Sequence, residues 1–262
     1  MAIITLTTDF GWSDYFVGAM KGIIYQIAPK TTIVDITHNI NPQDILSGAI
    51  VLREIWRAFP PQTIHVGVID PTVGSNRNII LARYANQFFL VPDNGIITLI
   101  HQIYVPEEVY IVTNTSLFCQ PVSNTFQGRD IFAPVAAHLA KGVKPAQLGP
   151  KTNTIKLIDI PQPYQNEKGE LVGQIIHIDN FGNLMTNISA DALNSFVKST
   201  GKVNVYVNER FVGPILKTFA DVKPNETLAY IGSAGFLEIA VNLSRADKIL
   251  GAKIGATVKI TQ

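Results

Sequence analysis

A change of pattern near residue 150 constrains this chain more than any other feature. Before it, short apolar runs that read as strands alternate with segments of helical periodicity. AIITLTT, TIVDIT and TIHVGVID have the strand character, while YFVGAMKGIIYQIA repeats its apolar residues at helical spacing. PQDILSGAIVLREIWRAF reads as a second helix, with Pro42 near its first turn and Asp44 placed against the dipole. NIILARYANQFFLVPDNG reads as a hairpin and EEVYIVTN as a further strand. DIFAPVAAHLAKG is a helix stopped by Gly142. Strands alternating with helices predict an α/β domain with a largely parallel sheet.

After that point the helical periodicity almost disappears. Residues 149–170 hold three prolines among polar residues, as a connection between domains does. LVGQIIHIDNFGN, KVNVYVNERFVG, TLAYIGS, FLEIAVN and TVKIT then read as strands, and only SADALNSFVKS reads as helix. The expectation is an α/β N-terminal domain over 1–150, a linker over 151–170, and a small all-β, barrel-like C-terminal domain over 171–262.

Composition removes several classes of function. A net charge of +1 without basic blocks argues against nucleic acid and anionic membrane surfaces as partners. The single cysteine, Cys119, excludes an internal disulfide and a cysteine metal cluster, and a buried or incidental thiol is the plain expectation for it. MAIITLTTDFG lacks the basic and apolar regions of a signal peptide, and no apolar run approaches the ~20 residues of a membrane span. The cytoplasm is therefore the expected compartment. The five histidines show no metal-binding spacing, and neither a phosphate-binding glycine loop nor a nucleophile elbow is present.

What remains is polar chemistry at the carboxyl ends of strands, where ligands collect in open α/β sheets. Asp9 follows the first strand, residues 37–39 the second and Asp70 the third, while Asp93 and Asn94 sit in a later turn. In TTDFGWSDYF the clustered aspartates could bind a cation, but Asp9 better suits two hydrogen bonds from the vicinal hydroxyls of a ribose, and Asp14 a helix cap. In GVIDPTVGSNR a tight Pro/Gly turn returns Arg77 toward Asp70, which permits a charge-assisted pair. On residue types alone that pair serves equally as a loop-stabilising ion pair.

Seven blocks in order (LTTDFG with YFVGAMKG, VDITHNI, HVGVIDPTVGSNR, LVPDNG, TFQGRDIFAPVAAHLA, IDNFGN and LEIAVN) resemble the S-adenosyl-L-methionine hydroxide adenosyltransferases, relatives of the fluorinase and chlorinase enzymes. The resemblance runs over essentially the whole chain. It implies hydrolysis of S-adenosyl-L-methionine to adenosine and L-methionine by water at ribose C5′, with no cofactor and no metal. By motif, Asp9 matches the ribose carboxylate, and Asp70 and Arg77 match two members of an Asp-Arg-His set around the attacking water. Asp179, Phe181 and Asn183 match a segment that grips adenine and the methionine end, and Ser233 and Glu238 the part that meets the methionine amino and carboxylate groups. The resemblance further implies a homotrimer with sites between subunits. Halogenating relatives lack the aspartate found here as Asp70, so water is the expected nucleophile.

The chain departs from the family pattern at one position: where T-F-H-G-R-D is usual, it reads TFQGRD, and Gln127 replaces the histidine. Glutamine orients water but cannot take its proton, so Asp70 is left as the ionisable acceptor and turnover is expected to be slower. Two other functions stay open at this point. One is a binding protein for S-adenosylmethionine or adenosine without turnover, and the other is a metal-dependent nucleoside hydrolase.

Overall fold

The computed structural model describes residues 2–197 and 203–262. The chain divides into two units, Met1–Ile158 and Asp159–Gln262.

The first unit runs β1 (Ile3–Thr8), α1 (Phe16–Ile27), β2 (Thr32–Thr37), α2 (Ile45–Ile55), β3 (Ile64–Val68), β4 (Ile79–Tyr84), β5 (Gln87–Pro92), α3 (Thr98–His101), β6 (Glu108–Ile111) and α4 (Ala133–Ala140). Its six-stranded sheet has the order β2-β1-β3-β5-β4-β6. β2, β1, β3 and β5 pair in parallel, and β4 is antiparallel to both neighbours. The expected α/β layer is therefore present.

Strand alternation divides the core into two layers. Ile79 and Leu81 of β4 pack with Met20 and Ile24 of α1 and with α4, whereas Ile80, Ala82 and Tyr84 face Leu52 of α2 and Ile100 of α3. Each of these fully buried large side chains contributes about 1.5–3 kcal/mol relative to exposure. The β4–β5 turn is Ala85–Asn86, both at positive φ, as a two-residue hairpin loop of the right twist requires.

Two local expectations fail. Asp14 does not cap α1: the N-cap is Tyr15, without a side-chain cap hydrogen bond, because the helix begins one residue later than that reading needs. Pro42 likewise lies outside the second helix. Asp44 is its N-cap, its carboxylate accepting from Ser47 N at 3.0 Å and from Ser47 Oγ at 2.6 Å.

The second unit runs β7 (Tyr164–Gln165), β8 (Leu171–Ile178), β9 (Leu184–Ser189), α5 (Ala190–Phe196), β10 (Asn204–Val207), β11 (Arg210–Pro214), β12 (Thr227–Ile231), β13 (Phe236–Val241), α6 (Ala246–Ile249) and β14 (Thr257–Thr261). Its sheet has the order β11-β10-β14-β8-β9-β13-β12, antiparallel throughout, with β7 added to β8. A bridge between Ile215 and Ala229 and the bond from Thr227 Oγ1 to the Val212 carbonyl, 2.7 Å, nearly close it into a barrel. Val205, Val258, Leu184 and Ile239 fill the interior. The helix expected over 189–199 is α5, and its last two expected residues lie outside the described ones. Among the described residues no helix is long and apolar enough to cross a membrane.

Candidate active site

β1 and β3 deliver Asp9 and Asp70 to one edge of the first unit's sheet, and both line a cavity of about 120 Å³. Gln127 and Thr125 arrive from the segment before α4. Phe10, Phe16, Val68, Phe126 and Phe132 make most of the remaining wall apolar. A few convergent polar groups in an apolar cavity are what a small-molecule site requires.

The Asp70–Arg77 pair expected from the tight turn is formed. Arg77 Nε donates to Asp70 Oδ2 at 2.7 Å, and Nη2 meets the same oxygen. Both side chains are nearly buried, at 4% exposure for Asp70 and 5% for Arg77. Asp70 Oδ1 accepts from Thr72 Oγ1 at 3.1 Å and Thr72 N at 3.3 Å, so the carboxylate is held at both oxygens. Gly74 makes the return path available. Its φ is +81°, and a Cβ there would stand 2.7 Å from the Asn124 carbonyl oxygen. The turn can thus lie directly on the segment that carries Gln127.

Arg77 Nη2 also donates to Gln127 Oε1. One guanidinium therefore fixes both groups from behind, since Asp70 and Gln127 line the cavity whereas Arg77 does not. A guanidinium only donates, so the amide oxygen must face it and the Gln127 amide nitrogen is left toward the cavity. Gln127 is followed by a π-helical turn, Gly128–Phe132, a distortion frequent at functional sites.

Asp9 is held by the Gln43 backbone N–H, 2.8 Å from Oδ2. Two carboxylates against one guanidinium leave the cavity wall with a net negative charge. That favours a cationic ligand and opposes an anionic one.

Two other strand-end groups, Asp93 and Asn94, are scaffolding. Asp93 is buried and accepts from Lys156 N at 2.8 Å. Asn94 Nδ2 donates to the Ile69 carbonyl at 2.8 Å, which fixes the backbone just before Asp70. Sequence reading missed Phe10 and Phe126 as part of this wall, and Thr72 as the partner that holds Asp70 Oδ1; the side chain two residues beyond a strand-end aspartate is the signal that would have found Thr72.

In the second unit Asp179, Phe181, Asn183 and Glu238 line one depression of about 790 Å³, together with Tyr230 and Arg245. Asp179 accepts from Asn183 N and Asn183 Nδ2, each at 2.8 Å, which locks the β8–β9 turn. Phe181 at its tip is 75% exposed. Its neighbours are tied down: Arg245 Nη1 donates to the Asn180 carbonyl at 2.8 Å, and Asp247 N to the Gly182 carbonyl at 3.1 Å. Gly182, at φ +85°, makes that contact possible, because a Cβ would stand 2.6 Å from Asp247 Oδ1. The aromatic ring is therefore presented to solvent on a rigid tip.

Tyr230 donates to Glu238 Oε2 at 2.7 Å, and burial with this acidic neighbour pushes the phenol well above its ordinary range. Ser233 stands apart, exposed in the β12–β13 turn, and does not line the depression. No group of three or more His, Cys, Asp or Glu side chains suited to a metal ion occurs among the described residues.

Residues 4–149 match the family model of the SAM hydroxide adenosyltransferase N-terminal domain, and residues 173–259 that of its C-terminal domain. The (R)-S-adenosyl-L-methionine hydrolase of Salinispora tropica is 34% identical over 98% of this chain and 97% of its own length. A fluorinase of Actinopolyspora mzabensis is 26% identical over 99% and 97%. A crystal structure described as an uncharacterized conserved protein from Thermotoga maritima superposes with a TM-score of 0.90 at 35% identity, covering all of both chains. The two matched domains, with full-length relatives above 30% identity, make this chain a member of the SAM hydroxide adenosyltransferase family.

Proposed function

We propose that this protein hydrolyses S-adenosyl-L-methionine to adenosine and L-methionine, with water displacing the sulfonium at ribose C5′. The observation that carries the reading is the Asp70–Arg77–Gln127 cluster in the wall of an apolar cavity that also holds Asp9. The negative wall suits a sulfonium cation. The R configuration at sulfur, given in the name of the S. tropica relative, is carried over as the preferred epimer.

The water oxygen attacks C5′ as the C5′–S bond breaks, and the bonding pair leaves on sulfur as a neutral thioether. A neutral leaving group needs no acid. One proton must leave the water, and Asp70 is the acceptor for it before solvent takes it up. Gln127 donates its amide N–H to one lone pair of the water while the other attacks. Alignment of this kind supplies up to about 7–11 kcal/mol of barrier, and general-base assistance a further factor of about 10²–10⁴.

Asp9 receives the two ribose hydroxyls. Phe181, Asp179 and Asn183 receive adenine and the methionine end, and Glu238 and Ser233 the methionine amino and carboxylate groups. Assembly is as a homotrimer in the cytoplasm, with each site completed by a neighbouring subunit. No cofactor takes part.

Incubation of the purified protein with S-adenosyl-L-methionine in ¹⁸O-water tests the reading. Equimolar adenosine and methionine are expected, with the label in the adenosine 5′-hydroxyl. Free adenine would instead make it a nucleoside hydrolase. Tight binding without product would make it a binding protein, the reading that Gln127 keeps open because an amide accepts no proton.

A further inference from the structure

His38, just beyond β2, is fully buried and has no part in the chemistry above. Both ring nitrogens are engaged. Nε2 lies 3.0 Å from Asp35 Oδ1, and Nδ1 lies 2.8 Å from Thr8 Oγ1. Asp35 is also paired with Lys21 Nζ at 2.5 Å, and hydrogen bonds from His38 and Lys21 outweigh partial burial to hold it below the usual carboxylate range. A carboxylate only accepts, so Nε2 carries the hydrogen and Nδ1 is the acceptor for the Thr8 hydroxyl. Burial, partly opposed by Asp35, keeps the imidazole below its ordinary range and hence neutral at pH 7.

The chain of bonds continues toward the site. Thr8 Oγ1 accepts from Phe10 N at 3.2 Å, and that N–H belongs to the peptide joining Asp9 to Phe10. The His38 carbonyl accepts from Gly11 N at 2.7 Å, and the Trp12 ring meets the imidazole edge-on at 4.6 Å. The loop that carries Asp9 thus rests on His38 by three separate contacts. From the other side, the Asp9 carboxylate is met by Gln43 N at 2.8 Å.

We propose that His38 is a positioning residue for recognition of the substrate's ribose: through Nδ1 and Thr8 it fixes the backbone that aims the Asp9 carboxylate. The inference rests on the ribose role proposed for Asp9.

The test measures affinity by calorimetry for adenosine and for 2′,3′-dideoxyadenosine, which lacks the two hydroxyls. The proteins are the parent, Asp9→Asn, Thr8→Val, His38→Asn and His38→Gln. Asparagine places an oxygen near the Nδ1 position and can still accept from Thr8. Glutamine reaches the Nε2 position and keeps only the Asp35 contact. The parent is expected to prefer adenosine, and Asp9→Asn to abolish that preference. Thr8→Val and His38→Gln should cut the preference about tenfold, whereas His38→Asn should keep it within about threefold, since recognition by paired hydrogen bonds is lost when a partner is misplaced.

With S-adenosyl-L-methionine the same two damaging variants should raise KM and leave kcat nearly unchanged, the mark of lost uniform binding. A merely structural role would weaken both nucleosides equally and make the smaller asparagine the worse substitute. Either result, with Asp9→Asn still abolishing the preference, overturns the proposal for His38. Should Asp9→Asn keep the parent's preference, the ribose reading falls, and the role of His38 falls with it. Thr8→Val is nearly isosteric and keeps the test decisive if a His38 variant fails to fold.

Discussion

The Gln127 side-chain carbonyl accepts from Arg77 Nη2, and this contact decides which end of the amide faces the cavity. With the oxygen committed to a group that only donates, the exposed end is an N–H. In the proposed reaction Gln127 therefore holds a lone pair of the attacking water, and Asp70 is the group that receives the proton.

Gln127→His supplies a second acceptor at that place once the ring turns its lone-pair nitrogen to the water and leaves Arg77 Nη2 to Asp70, which it already meets. We expect kcat to rise at least about tenfold, within the range that a positioned base contributes. The pH profile should change with it. The variant should gain an acid limb near or below about pH 6.5, because a neighbouring guanidinium lowers an imidazole's pKa. Rates of adenosine release between pH 5 and 8 check both, and an unaltered profile would remove Gln127 from the water's surroundings.

Asp70→Asn should lower kcat by about 10²-fold or more, at the scale of lost general-base assistance. It should also destabilise the protein, by about 3 kcal/mol, because Arg77 is left nearly buried without its counter-charge. Arg77→Lys separates the two effects. Lysine keeps the charge, but a point ammonium cannot fork between Asp70 and Gln127. Most of the parent's stability should be kept while kcat falls. Urea unfolding and product assays on both variants check the contrast.

The α/β and barrel-like architecture was legible because periodicity reports burial, and burial is what the two kinds of layer differ in. Asp70 and Arg77 were legible because a Pro/Gly turn leaves few paths for a chain seven residues long. The roles of Asp93 and Asn94 were not. A strand-end carboxylate looks the same whether it faces a ligand or accepts a distant backbone N–H, here that of Lys156. The orientation of Gln127 was hidden for the same reason, since it depends on a partner 50 residues away. Asp14 misled because capping is decided by where the first turn begins, and a one-residue shift is enough to undo it.

Phe181 offers the opposite combination of effects. Its ring is 75% exposed and its tip is held by bonds to residues 180 and 182 rather than by its own side chain. Phe181→Ala should leave the melting temperature within about a degree, as surface substitutions do. Affinity for adenosine should fall by about ten- to a hundredfold, the usual value of an aromatic platform for a base. Calorimetry beside a thermal melt checks the pair of outcomes, and a loss of stability with unchanged affinity would place the ring in the fold rather than in the site.

The acid response of the fold should trace in part to His65. Its ring is buried in β3, stacked on Phe89 at 4.9 Å between centroids, with Nδ1 2.8 Å from Thr5 Oγ1 and Nε2 2.6 Å from Gln87 Oε1. Burial, only partly opposed by Gln87, pushes its pKa down to about 4. Above the unfolded value of about 6.5 both states are neutral and the histidine costs nothing. Below it the unfolded chain gains a proton that the folded chain refuses, so stability falls as pH drops from about 6.5 toward 4. The loss should reach about 2 kcal/mol by pH 5. Urea midpoints at pH 7 and pH 5 should show that fall in the parent, and His65→Gln should show a smaller one whatever its stability at pH 7. An equal fall in both proteins would mean that the ring takes its proton in the folded state as readily as in the unfolded one.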